Sequence, residues 1–282
     1  MSDNKKTLWM VAAGVGALVG MALLYHAMSG DSDGGADGID PAALKAAGIE
    51  EVLREGAQLE KRYFLKLLQF IGEQTRESTK ATRDTIAATR RKHFSNNDWD
   101  NYEVEVRKAI ELEDKAAQQV LQQVTEALGI SEEEFALTHR VLAQNDETAQ
   151  FVMAAQQGKL KPQNAEKKVT LTKEKTLAAL DDHMQATMKQ MQEMKNQGMP
   201  EGGDQMEQMV KMMVQQVKLQ DDLFMKHKIE NEEFEDNLMH YVSHDPQVAQ
   251  TMQRYMMQMQ MSMGMGGGMG GPPMGGMGGP MG

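Results

Sequence analysis

The chain has 282 residues, a formal net charge of −11 at neutral pH and no cysteine. The negative charge argues against nucleic acid as a partner, because phosphate binding requires a basic surface, and the lack of cysteine excludes disulfides and thiolate chemistry. Aromatic residues make up only 5% of the chain while methionine, alanine, glutamine and leucine are abundant, so the composition predicts an all-α fold.

Residues 8–28 carry no charged side chain and follow a short N-terminal flank, residues 1–7. A helix of this length spans about 30 Å, the thickness of the hydrocarbon core of a bilayer. Trp9 and Tyr25 stand near its two ends, where aromatic rings favour the membrane interface. We interpret the segment as a single transmembrane anchor. The alternative is a cleavable signal peptide, although the apolar run is longer than the roughly 7–15 residues usual there.

Ala12, Gly16 and Gly20 lie four residues apart on one face of this helix. Small residues at this spacing let another helix approach closely, so we expect this face to pack against a second membrane helix. Lys5 and Lys6 precede the helix, so the positive-inside rule places the C-terminal body on the opposite side of the membrane from them. The absence of cysteine and of N-glycosylation sequences favours a mitochondrial or bacterial membrane over a plasma membrane, and of these we favour the mitochondrial inner membrane.

Residues 29–39 form a predicted flexible acidic linker, and residues 40–158 a first helical region. Asp40 and Pro41 begin a short helix that Gly48 ends, and one long helix is predicted from residue 49 to about residue 94. The C-terminal end of this long helix is basic, which the helix dipole favours; a patch for anionic lipid is the alternative. Its residues are Arg83, Arg90, Arg91, Lys92 and His93.

A second long helix is predicted from Trp99 to Leu128, because apolar residues recur there at intervals of three and four. Gly129 ends it, and a capping box of Ser131 and Glu134 begins a short helix. Asp146 is expected to begin another, which Gly158 closes. The sequence therefore predicts long antiparallel helices followed by short capping helices.

The pattern recurs in a second helical region, residues 159–258. The segments beginning at Ile130 and Asp146 are echoed at Ile229 and Asp245, at an offset of 99 or 100 residues, and each copy follows long amphipathic helices. We interpret this as a degenerate internal duplication. Residues 259–282 become a tail rich in methionine, glycine and proline, which is predicted to be disordered.

Methionine is concentrated in the C-terminal part of the chain, where 22 of the 27 residues lie at or beyond Met184. The simplest interpretation is that these side chains fill the core. They also resemble the methionine-rich domain of signal-recognition-particle GTPases, and residues 245–259 resemble the Asp-Pro repeats of Hsp70/Hsp90 co-chaperones. These resemblances imply binding of apolar client segments. The candidate faces are Met184, Met188 and Met191 on one helix and Met206, Met209 and Met213 on the next.

Copper(I) binding by alternating thioethers is a third interpretation of the methionines, with Met257, Met259, Met261, Met263 and Met265 as ligands. His240 and His244 are one helical turn apart, which suits a metal, although a solvated helix face is the simpler interpretation. No phosphate-binding loop, nucleophile motif or dinucleotide fingerprint is present, so we expect neither an enzyme nor a cofactor.

These features together predict a single-pass membrane-anchored scaffold or accessory subunit of a membrane protein complex. Its expected partners are the membrane and either other subunits or a second copy of itself. The alternative function is a membrane-tethered, chaperone-like factor that holds apolar client segments on its methionine-rich helices and tail.

Overall fold

The structure is a computed structural model that describes residues 39–145, 147–160, 169–197 and 205–262. The predicted flank, anchor and acidic linker as far as residue 38, and the tail from residue 263, lie outside these residues. Ala12, Gly16 and Gly20 therefore remain predictions. Within the described ranges, no helix combines the length and apolar character needed to cross a membrane.

The described residues are almost entirely helical, which confirms the all-α prediction. Residues 39–160, here called the N-terminal unit, contain five helices and one small hairpin. They are α1 (Pro41–Ala46), β1 (Arg54–Glu55), β2 (Gln58–Leu59), α2 (Lys61–Ser95), α3 (Trp99–Leu128), α4 (Glu132–Gln144) and α5 (Ala149–Gln156).

The prediction of one helix from residue 49 to residue 94 is wrong at its start, because the β1–β2 hairpin occupies residues 54–59. Gly56 supplies the turn with a φ of +66°. The backbone N–H of Leu59 donates to the hydroxyl of Thr138 at 3.0 Å, so a polar group of α4 holds the hairpin against the bundle. Helix α2 begins only at Lys61, where the carboxylate of Glu60 accepts the backbone N–H of Tyr63.

The predicted capping box forms only in part. The hydroxyl of Ser131 accepts the backbone N–H of Glu134 at 3.1 Å, as expected for the start of α4. The carboxylate of Glu134, however, binds Arg54 of the hairpin through two hydrogen bonds of 2.6 and 3.1 Å. A tertiary contact with β1 has therefore replaced the local half of the motif.

Residues 169–262, here called the C-terminal unit, contain α6 (Lys173–Gln197), α7 (Gln205–His227), α8 (Asn231–His244) and α9 (Pro246–Ser262). Helix α9 includes the first four residues of the predicted tail, residues 259–262. Met259 explains the difference, since its side chain is buried in the core of this unit and extends the apolar face of α9.

Each unit has its own hydrophobic core. In the N-terminal unit, α2 packs against α3, α4 and α5 around Phe64, Leu68 and Val124. In the C-terminal unit the core lies between α6, α7, α8 and α9, and four of its buried side chains are methionines: Met184, Met252, Met256 and Met259. A third, smaller cluster joins the two units, in which Tyr102 and Val106 of α3 meet Val214 of α7.

The two units share an element order and several local contacts. Two long helices precede two short ones in each. The N–H of Leu59 before α2 donates to Thr138 of α4, and the N–H of Leu171 before α6 donates to Asn237 of α8. Thr138 and Asn237 are 99 residues apart, the spacing of the proposed duplication. The structure thus repeats a side-chain contact that sequence periodicity does not reveal.

The ends of α3 and α7 also correspond. Gly129 follows α3 with a φ of +63°, and Lys228, 99 residues later, follows α7 with a φ of +55°. Buried Ile130 and Ile229 come next in each copy. The backbone of Lys228 thus adopts the left-handed conformation, which is less strained for glycine than for a residue with a Cβ atom.

We expect Lys228→Gly to raise the free energy of unfolding by about 0.5–1 kcal/mol, because glycine relieves the left-handed strain at a small cost in chain entropy. The matched substitution Gly129→Lys should lower it by about 1 kcal/mol. Urea unfolding of both variants measures the difference. Shifts of the same sign would contradict the proposed equivalence of the two positions.

Candidate functional site

The methionine faces predicted from the sequence are in large part internal. On α6, Met184 is only 1% exposed, and Met188 and Met191 are half-buried against the core of the C-terminal unit. On α7, Met213 is buried as well. Met206 and Met209 have side chains outside the described residues. As interaction residues the six remain predictions.

Other methionines are exposed. Helix α9 has two faces, of which one turns Met252, Met256 and Met259 into the core. The opposite face carries Met257 and Met261, which are 52% and 67% exposed. This outer face is the apolar surface nearest to the methionine-rich tail in the sequence.

The most elaborate polar cluster joins the two units at a buried carboxylate, Asp221 of α7. Arg90 of α2 donates two hydrogen bonds to it, at 2.5 and 2.9 Å. Arg91 donates a third at 3.0 Å, and the hydroxyl of Tyr102 a fourth at 2.9 Å. The side chain of Asp221 is fully buried, so these four donors replace the water that the carboxylate loses on folding.

Arg91 extends this cluster to the surface. Its guanidinium forms two further hydrogen bonds with Glu230, at 2.8 and 2.7 Å. The same group lies over the ring of Phe224, 3.6 Å from the centroid, which adds a cation–π contact. One arginine of the N-terminal unit thus holds two carboxylates and an aromatic ring of the C-terminal unit.

The pKa shifts in this cluster keep both Arg90 and Tyr102 protonated. Burial lowers the pKa of Arg90, but the hydrogen bonds and charge of Asp221 outweigh it and leave that pKa above its ordinary value. Burial, and then the charge of Asp221, raise the pKa of Tyr102, so the phenol keeps its proton. A protonated phenol and a fixed guanidinium are suited to holding the carboxylate in place.

Three further ion pairs connect the units: Arg76–Glu232, Arg107–Glu207 and Lys159–Glu235. These side chains are substantially exposed to solvent, where such pairs contribute little. In each of them, and in the Asp221 cluster, the cation belongs to the N-terminal unit and the carboxylate to the C-terminal unit.

The sequence interpretation explained Arg90 and Arg91 by the helix dipole and missed this role. The available signal was an acidic residue on an apolar helix face, because Asp221 follows Val214 and Val217 at intervals of three and four.

The histidines occupy different surroundings. His240 and His244 stack with ring centroids 4.4 Å apart, and Nδ1 of His244 lies 2.7 Å from the carbonyl oxygen of His240 in the same helix. In the ranges that the structure describes, no three acidic or histidine side chains converge as a metal site would require. His139 lies beside Gln156 of α5, with 3.0 Å between the two nitrogens, and burial lowers the pKa of its imidazole to about 4.

We expect Asp221→Ala to lower the free energy of unfolding by about 3–5 kcal/mol, because it leaves Arg90 buried beside no opposite charge. Glu207→Ala, which breaks an exposed pair across the same junction, is the matched control and should have a much smaller effect. Urea unfolding measures both. Similar losses in the two variants would show that burial of Asp221 is not what strengthens the junction.

Protonation of His139 should destabilise the fold in mild acid. Its lowered pKa means that the unfolded chain binds the proton first, so the neutral imidazole contributes stability above about pH 6.5 that is lost as the pH falls towards 4. Between pH 7 and pH 5 this loss is about 2 kcal/mol. His139→Leu, which copies Leu238 at the corresponding position, should remove that component of the pH dependence. The free energy of unfolding is measured at both pH values. If the His139→Leu variant loses as much of it between pH 7 and pH 5 as the unsubstituted protein does, the assignment is wrong.

Comparison of the chain with protein-family models, curated proteins and solved structures finds no match.

Proposed function

We propose that this protein is a single-pass, membrane-anchored helical scaffold, an accessory subunit of a membrane protein complex that acts through protein–protein contacts. The anchor is residues 8–28, and the small-residue face of Ala12, Gly16 and Gly20 packs against a partner helix. The partner is another subunit or a second copy. The body holds a helical surface beside the membrane, and the mitochondrial inner membrane fits the composition best.

The observation that carries this proposal is the junction at Asp221. Two helical units with separate cores are joined by a carboxylate with four hydrogen-bond donors. Satisfied buried networks of this kind fix one geometry between packed elements. A fixed spacing between two helical units is the property that a scaffold needs. In this cluster Arg90, Arg91 and Tyr102 all donate hydrogen bonds to Asp221. This mutual pairing favours a binding role over catalysis.

A second candidate is the chaperone-like function, in which apolar client segments bind to methionines. The exposed pair Met257 and Met261 on α9 favours it, because thioether side chains adapt to varied apolar surfaces. The burial of Met184 and Met213 counts against it, since those side chains are not available to a client. Any client surface would therefore be the outer face of α9, together with exposed Met212.

Co-purification in mild detergent from the native source separates the two functions. The scaffold proposal predicts a fixed set of partners at constant stoichiometry. Gly16→Leu with Gly20→Leu should abolish this set by blocking close helix approach, whereas the control Gly14→Leu, on another face, should preserve it.

A varied, substoichiometric set of partners that disappears in a Met257→Gln, Met261→Gln variant would overturn the scaffold proposal and establish client binding. Truncation after Met263 shows whether the tail contributes to either set. A scaffold should keep its partners without the tail, and a client-binding factor should lose part of them.

A further inference from the structure

A cavity of about 50 Å³ lies between α6, α7, α8 and α9 of the C-terminal unit. Its wall is apolar at Leu180, Phe234 and Met252 and polar at His183, Gln216 and Gln220. Atom Nδ1 of His183 is buried and has no hydrogen-bond partner in the described part of the chain. An unpaired buried nitrogen costs free energy unless a bound group satisfies it.

The N-terminal unit has a different side chain at the position that corresponds to His183. Helices α2 and α6 can be aligned because Leu59 and Leu171 precede them and donate equivalent hydrogen bonds. In this alignment Thr75 and Thr187 also correspond, and each hydroxyl donates to the carbonyl four residues earlier at 2.8 Å. Those carbonyls belong to Ile71 and His183, so the histidine stands where the first unit has isoleucine.

The two glutamines show the same change. Helices α3 and α7 are aligned by Gly129 and Lys228, which share the left-handed conformation after each helix. Gln216 and Gln220 then stand where the N-terminal unit has Ala117 and Leu121. These three cavity positions are thus polar in the C-terminal unit and apolar in the other, whereas Leu238 of the cavity wall corresponds to His139. The two units therefore place their buried polar groups at different positions.

The two units also differ in how closely their last helix approaches the first long helix. In the N-terminal unit, Gly72 lets the end of α5 lie directly on α2, where a Cβ atom would stand only 2.4 Å from the backbone oxygen of Gln156 and the nitrogen of Gly158. Met184 occupies the corresponding position of α6 and is buried. A methionine does not permit that close approach, so the last helices of the two units pack differently.

We propose that this cavity binds a small uncharged primary amide. Two glutamine amides offer donors and acceptors, the free nitrogen of His183 takes a further hydrogen bond, and the apolar wall accepts a methyl group. The one carboxylate at the rim, Glu235, is already bound to Asn231 and Lys159, so no unpaired charge faces an ionic ligand. The volume exceeds the roughly 10–15 Å³ that one water needs.

Three nearly isosteric probes test this proposal on the full chain in detergent, with histidine labelled for NMR. Acetamide should shift the imidazole signals of His183 saturably, with a dissociation constant on the order of millimolar for so few atoms. Acetone lacks the N–H donors and should bind at least about tenfold more weakly. Acetate carries a charge that the site does not match and should leave His183 unchanged. The imidazole of His139 in the other unit is the internal control.

Gln216→Ala with Gln220→Leu, which copies the N-terminal unit, should weaken acetamide binding at least about tenfold while the His183 signals still report the site. His183→Ile should abolish binding, measured with labelled methionine through the methyl signal of Met252, which also lines the cavity. No saturable shift, equal affinity for acetamide and acetone, or binding that survives the glutamine substitutions would overturn the proposal. Ordered water alone would then satisfy His183.

Discussion

One buried carboxylate determines how the two helical units meet. Asp221 is withdrawn from water, and a lone carboxylate there would be prohibitively costly, so the fold must bring donors to it from elsewhere. Those donors are Arg90, Arg91 and Tyr102, which lie on two helices of the other unit. The relative placement of α2, α3 and α7 follows from this requirement, because a shift of any of them would break hydrogen bonds to the buried carboxylate. Apolar packing around Val106 and Val214 fills the space beside it.

The two units use different means to build similar cores. The N-terminal unit relies on close backbone approach at Gly72, and its core contains Phe64 and Phe135, whose ring centroids are 5.1 Å apart. The C-terminal unit uses flexible methionine side chains, which fill irregular space without demanding one shape. The methionine content of this part of the chain is thus partly explained by packing. The client-binding hypothesis depends on the exposed methionines, which are Met212 of α7 and those on the outer face of α9, together with those of the tail.

Much of the helical architecture was predictable, because it depends on local signals. Apolar residues at intervals of three and four predict α3 from Trp99 to Leu128, and Gly129 predicts its end. The hairpin before α2 was missed because its contacts, from Leu59 to Thr138 and from Arg54 to Glu134, join residues about 80 positions apart. The Asp221 cluster was missed for the same reason, since its partners are more than 100 residues away in the chain. Periodicity reports which face is apolar, and it carries no information about which distant charge a buried acid will meet.

The separation of charge across the junction restricts how two copies of the chain can associate through it. All of the ion pairs described there place cations on one unit and carboxylates on the other, so neither surface is complementary to a copy of itself. An isologous dimer through this face would oppose like charges, whereas the N-terminal unit of one chain matches the C-terminal unit of another as well as its own. If the junction opens, the association that it favours is therefore a reciprocal exchange of units between two chains. Only the effective concentration provided by the covalent connection favours the closed chain over that exchange.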